Sequence, residues 1–183
     1  SPVARWSAPS RARASIAALR NLQPEPKYVV EALSKALASD DDAVVMYAME
    51  AVVERGADAA PMLNEALQHP ETAYMACTAI ESIGPDAKAT VPTLAELLTK
   101  TKHSQVLIQA LLALASIGPD AQSASPEIVP LLKPSTDETV PVAAAYALGS
   151  IGAKDVDAEL TEAAGSDNQF LQMIAAWALA MGH

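Results

Sequence analysis

The chain has 183 residues, and 51% of them are hydrophobic although only 4% are aromatic. An apolar content made mostly of Ala, Leu, Val and Ile favours closely packed helices over sheets, so we expect an all-α protein with one domain. The net charge of −10, from 22 acidic against 12 basic residues, disfavours nucleic acid and anionic membranes as partners.

A helix-ending signature recurs along the chain at a constant distance. Ile-Gly-Pro-Asp-Ala stands at 83–87 and again at 117–121, and Ile-Gly returns at 151–152, so the three glycines are 34 residues apart. The residues eight, five and four positions before each glycine are apolar, which is the spacing of one helical face. Each glycine is predicted to end its helix with a positive φ, after which Pro and a helix-capping Asp begin the next element.

Taken in chain order, weaker copies extend this pattern toward both ends. A first helix follows each stop, as in "VPTLAELL" from residue 91, and a second helix leads to the next stop. The second helices are predicted to end near residues 22, 55, 83, 117, 151 and 181. One helix pair cannot bury its own apolar stripe, so the pairs must stack, which predicts a single repeat domain over residues 1–183. Because the first residue is Ser rather than Met, it is left open whether this domain belongs to a longer protein.

The unit "VPTLAELLTKTKHSQVLIQALLALASIGPDA" at 91–121 resembles a HEAT repeat, of the bacterial kind that is similar to the HEAT-like repeats of phycobilin lyases. The resemblance covers essentially the whole chain. It implies a right-handed α-α superhelix of stacked helix pairs, with the second helices on the concave side of a curved surface presented to a partner. The family usually carries an Arg early in the second helix, but this chain has apolar residues there, which predicts a greater reliance on apolar packing.

The side of the second helices opposite the core carries large apolar residues where a purely structural helix would be polar. Five of these positions, six or ten residues before a stop glycine, hold Tyr74, Ile108, Leu112, Val142 and Tyr146. An acidic margin toward the N-terminal side is formed by Glu50, Glu54 and Glu81. We interpret these eight residues, the predicted groove, as a binding surface for a protein, a peptide or another domain of a longer chain. A second interpretation stays open, in which strong curvature buries these side chains against one another.

Few residues point to catalysis or to a metal. The three histidines, His69, His103 and His183, have no partners at metal-binding spacing, and the single cysteine, Cys77, occupies a core slot. No nucleophile elbow or phosphate loop occurs, so we predict no catalytic residue, no metal and no cofactor. No apolar run reaches the roughly eighteen residues of a membrane span and no secretory signal is present, so we predict no membrane insertion and leave the compartment open.

The favoured function is therefore a non-enzymatic scaffold for protein–protein interaction. The alternative implied by the resemblance is a subunit similar to chromophore lyases, or another enzyme-associated subunit, which would need convergent polar groups in the predicted groove. A nucleic-acid-binding repeat protein is less favoured, because that function uses rows of Lys and Arg. The oligomeric state is not determined by the sequence.

Overall fold

The computed structural model describes residues 35, 36, 39 and 41–182. Within these residues the chain forms α-helices joined by short 3₁₀ segments and contains no β-strand, which confirms the all-α prediction. The helix predicted to end near residue 22 lies outside the described residues. The α-helices are α1 Asp42–Val53, α2 Ala60–Ala66, α3 Pro70–Ile83, α4 Val91–Lys100, α5 Ser104–Ile117, α6 Ser125–Ile128, α7 Thr139–Ser150, α8 Asp157–Ala164 and α9 Gln169–Met181. The 3₁₀ segments are Gly56–Ala59, Gly84–Thr90, Gly118–Ala124 and Val129–Leu132.

The helices form two rows. The odd-numbered second helices pack each on the next, α1 on α3, α3 on α5, α5 on α7 and α7 on α9. The even-numbered first helices lie beside them, with α2 against α3, α4 against α5, α6 against α7 and α8 against α9. The two helices of each pair therefore contact each other, and each second helix also contacts the second helices of the neighbouring pairs.

The core runs between the two rows. The slots eight, five and four residues before the stop glycine are buried in α3, α5 and α7; they are Ala76, Ala79 and Ile80, then Ala110, Ala113 and Leu114, then Ala144, Ala147 and Leu148. The small Ala side chains allow neighbouring helices to approach, while the Ile and Leu side chains fill the space between the rows. Burying one such Ile or Leu stabilises the fold by about 1.5–3 kcal/mol. The predicted core face is confirmed.

The three stop glycines Gly84, Gly118 and Gly152 have the predicted positive φ, whereas Gly182 after α9 has a φ of −78°. Gly84 has φ 70° and ψ −136°, and Gly118 has φ 75° and ψ −142°, a combination that residues with a Cβ rarely adopt. The amide of Gly84 donates to the carbonyl of Ile80, which closes the last turn of α3. Because a 3₁₀ segment begins at each of these glycines, the chain reverses without a long loop.

One local expectation is wrong. The Asp of the signature was expected to cap the next element, but neither the 3₁₀ segments nor α4 has a side-chain cap hydrogen bond. Asp120 instead forms an exposed ion pair with Lys88 of the preceding pair, with 3.4 Å between Oδ2 and Nζ. α6 ends at Ile128 and continues as a 3₁₀ segment, with Pro130 as the second residue of that segment. Proline has no amide hydrogen for an α-helical bond, which explains the early end of α6.

The slots where the resembling family carries Arg are filled by apolar side chains packed at the start of the second helices. Ala73, Pro141 and Leu171 are buried there, and Val45 and Leu107 are half-buried. One further polar link joins neighbouring pairs, since Gln122 Nε2 donates to the carbonyl of Gly152 at 2.8 Å. Apolar packing and scattered polar links therefore occupy the junctions between pairs.

Candidate functional site

The second-helix face, which we define as the exposed side of α1, α3, α5, α7 and α9, carries exposed large apolar side chains on α1, α3 and α7. Met46 on α1 is 58% exposed, and Tyr74 on α3 and Tyr146 on α7 are each 41% exposed. On α9, Phe170 and Met173 are 70% and 59% exposed. Since consecutive second helices pack against each other, these side chains lie on one continuous row of helices.

The middle of the predicted groove is less exposed than its two tyrosines. Ile108, Leu112 and Val142 are half-buried. Ile108 and Val142 also pack against the hydrophobic core. The closeness of α3, α5 and α7 explains this, because a short branched side chain between two packed helices loses part of its accessible surface to each neighbour. These three side chains therefore form the floor between the more exposed tyrosines.

Tyr146 has an aromatic partner that the sequence reasoning missed. Its ring stacks on Trp177 of α9, with 5.5 Å between ring centroids and 20° between ring planes. Gly149 makes room for this approach, because a Cβ at that position would lie 2.5 Å from Cζ3 of Trp177. The aromatic pair extends the apolar surface from α7 to α9, where Met173 lies one turn before Trp177. The sequence does show that α9 differs from the other second helices, since Trp177 and Met173 stand where α7 has the small residues Ala147 and Ala143.

The acidic residues of the predicted groove have different surroundings. Glu50 and Glu54 are exposed near the end of α1. Glu81 is half-buried, and its Oε2 accepts a hydrogen bond of 2.5 Å from Nε2 of Gln109 on α5. Glu81 thus links two second helices as well as adding negative charge to their face.

Charge is distributed unequally along the second helices. The sequences of α5, α7 and α9 contain no Asp, Glu, Lys or Arg, whereas α1 and α3 carry acidic residues and no Lys or Arg. The first helices are charged, with Glu96 and Lys100 on α4 and Glu159 and Glu162 on α8. The second-helix face is therefore acidic at the α1 end and uncharged from α5 to α9.

The candidate reactive residues lie elsewhere. Cys77 is fully buried in α3, and burial raises the pKa of its thiol to about 12. His69 and His103 are the exposed residues immediately before α3 and α5, and His183 lies outside the described residues. In the part of the chain that the structure describes, no group of His, Cys, Asp or Glu could hold a metal ion.

Over the same residues, no helix has the length and the apolar character needed to cross a bilayer.

Two solved structures share this arrangement of stacked helix pairs. The crystal structure of an engineered protein matches 94% of this chain and 89% of its own with a TM-score of 0.62 and 23% identity. A designed armadillo repeat protein matches 93% of each chain with a TM-score of 0.60 and 19% identity. The fold is an all-α helical solenoid.

At these identities the similarity establishes the solenoid architecture alone. No protein-family model and no curated protein matches the chain. The HEAT resemblance of the solenoid therefore rests on its own repeat pattern, and no comparison links it to phycobilin lyases.

Proposed function

We propose that residues 1–183 form one HEAT-like repeat domain that acts as a non-enzymatic scaffold, with the second-helix face as a concave groove for a protein or peptide partner. One observation carries this proposal: α1, α3 and α7 each expose a large apolar side chain, six or ten residues before the glycine that follows the helix, on the same row of helices. Exposed apolar surface that continues over several elements usually marks a contact site.

The half-burial of Ile108, Leu112 and Val142 is compatible with this role. A binding groove needs a floor fixed by its own core, so that the partner is not required to order it. The exposed Tyr74 and Tyr146 then present rigid aromatic surface on either side of this floor, and tyrosine is among the residues that contribute most at protein interfaces.

The charge pattern disfavours the alternatives. A nucleic-acid partner would be held by Lys and Arg, and the five described second helices contain none. A chromophore lyase or another enzyme would need convergent polar or titratable groups, and α5, α7 and α9 supply no charged side chain to this face.

The proposal is tested by comparing the proteins retained by three immobilised variants with those retained by the wild type. Tyr74→Glu and Leu112→Glu place a carboxylate on the second-helix face, while the control Ala158→Glu places one on an exposed position of α8. We expect the wild type and Ala158→Glu to retain the same proteins and both groove variants to lose them. Melting curves check that each variant is folded. Retention of the same proteins by the folded groove variants would exclude this face as the binding site.

A further inference from the structure

The first helix α6 has a different sequence pattern from α2, α4 and α8. Prolines stand at every fourth position from its first turn onward, and Pro126, Pro130 and Pro134 are all exposed. Pro126 lies in the first turn of α6, where a missing amide hydrogen costs little. Pro130 and Pro134 lie beyond that turn, so the α-helical bonds that their amides would donate cannot form.

The backbone after this first turn is correspondingly irregular. α6 covers four residues, whereas α2, α4 and α8 cover seven, ten and eight. The chain continues as the 3₁₀ segment Val129–Leu132, whose hydrogen bonds have a poorer geometry than those of an α-helix. Lys133 is extended, as a residue before proline prefers to be, and residues 133–138 then lead to α7. We call residues 125–138 the α6 segment.

Side-chain packing holds the α6 segment against the rest of the molecule. Ile128 is fully buried and Leu132 is 6% exposed, while Val129 and Leu131 are half-buried. A segment with few backbone hydrogen bonds and few buried side chains belongs to the part of a fold that opens locally. The α6 segment therefore needs less free energy to open than the longer helix α4.

On its C-terminal side the α6 segment borders an open groove of about 520 Å³, which separates it from α8 and from the turn before α9. The charged side chains of this groove are four carboxylates and one ammonium, those of Glu138, Glu159, Glu162, Asp167 and Lys133. One hydrogen bond crosses it, from Nδ2 of Asn168 to Oε2 of Glu138 at 3.3 Å. Because the excess of like charges disfavours closure, the junction with α8 has room to widen.

The two rows of helices differ at this point. In the second-helix row, α5 packs on α7 and α7 packs on α9. In the first-helix row, α4 contacts α6, and the 3₁₀ segment Val129–Leu132 contacts α8. We propose that the α6 segment is a hinge, which opens while the second-helix row stays packed and thereby changes the curvature of the second-helix face. The use of this hinge in binding rests on the proposed function, whereas the hinge itself does not.

Hydrogen exchange of backbone amides tests the local opening. In the wild type, the amides of Val129, Leu131 and Leu132 should have protection factors at least about tenfold lower than those in the middle of α4. Pro130→Ala supplies an amide that can bond to the carbonyl of residue 126, and should raise these protection factors about tenfold or more. The matched control is Pro92→Ala, because Pro92 lies in the first turn of α4, and it should leave the protection of α4 unchanged.

Either of two results would overturn the hinge. One is equal protection of the α6 segment and α4 in the wild type, which would mean that they open together. The other is unchanged protection of the α6 segment in folded Pro130→Ala, which would remove the prolines as the cause.

Distances between pairs of spin labels test whether the two rows move differently. Thr99→Cys with Thr161→Cys places labels on α4 and α8, and Gln105→Cys with Gln169→Cys places them on α5 and α9; all four positions are exposed. Cys77 is fully buried and stays unlabelled in the native chain. We expect a broader distance distribution between α4 and α8 than between α5 and α9, and we expect Pro130→Ala to narrow it. Equal widths for the two rows would refute the hinge, and since neither readout uses a retained protein, the hinge and the proposed function fail separately.

Discussion

Gly149 lies where α7 and α9 approach each other, and replacing it with alanine tests the packing of the last junction. A Cβ at this position would lie 2.5 Å from Cζ3 of Trp177 and 2.9 Å from both Cα and Cβ of Ala178. The Trp177 ring could rotate away, but Ala178 Cα belongs to the backbone of α9. Ordinary contact begins at 3.4 Å, so α9 must move by about 0.5 Å or more relative to α7.

Two effects of opposite sign determine the magnitude for Gly149→Ala. Overpacking of a tight contact typically costs about 1–3 kcal/mol. The better helix propensity of alanine offsets at most about 1 kcal/mol of this loss of stability near a helix end. We therefore expect a net loss of about 1–2 kcal/mol in the free energy of unfolding, which lowers Tm by about 2–8 °C for a chain of this size.

The assay is thermal and urea unfolding followed by circular dichroism. Gly165→Ala is the matched control, because Gly165 has a φ of −89° and its added Cβ would meet no atom closer than 3.4 Å. We expect this control to stay within about 0.5 kcal/mol of the wild type. If Gly149→Ala were as stable as the wild type, or more stable, the close approach of α7 and α9 would be refuted.

Three further measurements test the turns and the core, one at Gly118 and two at Cys77. Gly118→Ala should lower the free energy of unfolding, measured in urea, by about 1–3 kcal/mol. The φ of 75° and ψ of −142° are strained for alanine, although no atom lies within 4 Å of the added Cβ. An unchanged urea midpoint would contradict this prediction. Cys77 should resist a thiol reagent at pH 8 in the native chain and react in urea, because burial raises its pKa from 9.0 to about 12. The same shift predicts that stability falls above about pH 9, where the thiol of the unfolded chain ionises and that of the folded chain does not; fast native labelling or constant stability up to pH 11 would contradict the burial.

Much of the architecture could be predicted from the sequence, because it depends on local rules. The spacing of Ala79, Ile80 and their equivalents follows from 3.6 residues per turn, and a glycine followed by proline marks a helix end whatever lies around it. The 3₁₀ segments could not be predicted in the same way. They differ from α-helix in one hydrogen-bond register, which the apolar pattern does not encode.

The candidate site was predictable in its register but not in its exposure. The sequence placed Tyr74 and Tyr146 on the outer side, and both are exposed. The half-burial of Ile108, Leu112 and Val142 depends on how closely neighbouring helices approach, which is a property of the pairs and not of any one helix. The stacking of Trp177 on Tyr146 could not be predicted either, since it depends on the close approach of α9 to Gly149 on α7.

Gly84 and Gly118 adopt nearly the same conformation, with φ values of 70° and 75° and ψ values of −136° and −142°, and each starts a 3₁₀ segment of seven residues. The turns at these two glycines therefore set almost the same rotation and translation between one helix pair and the next. In a molecule whose modules touch only their neighbours, a gene duplication or deletion of one 34-residue module recreates a junction that already exists. The number of modules can thus change the length of the solenoid by one module at a time, while the geometry of each junction between modules stays the same.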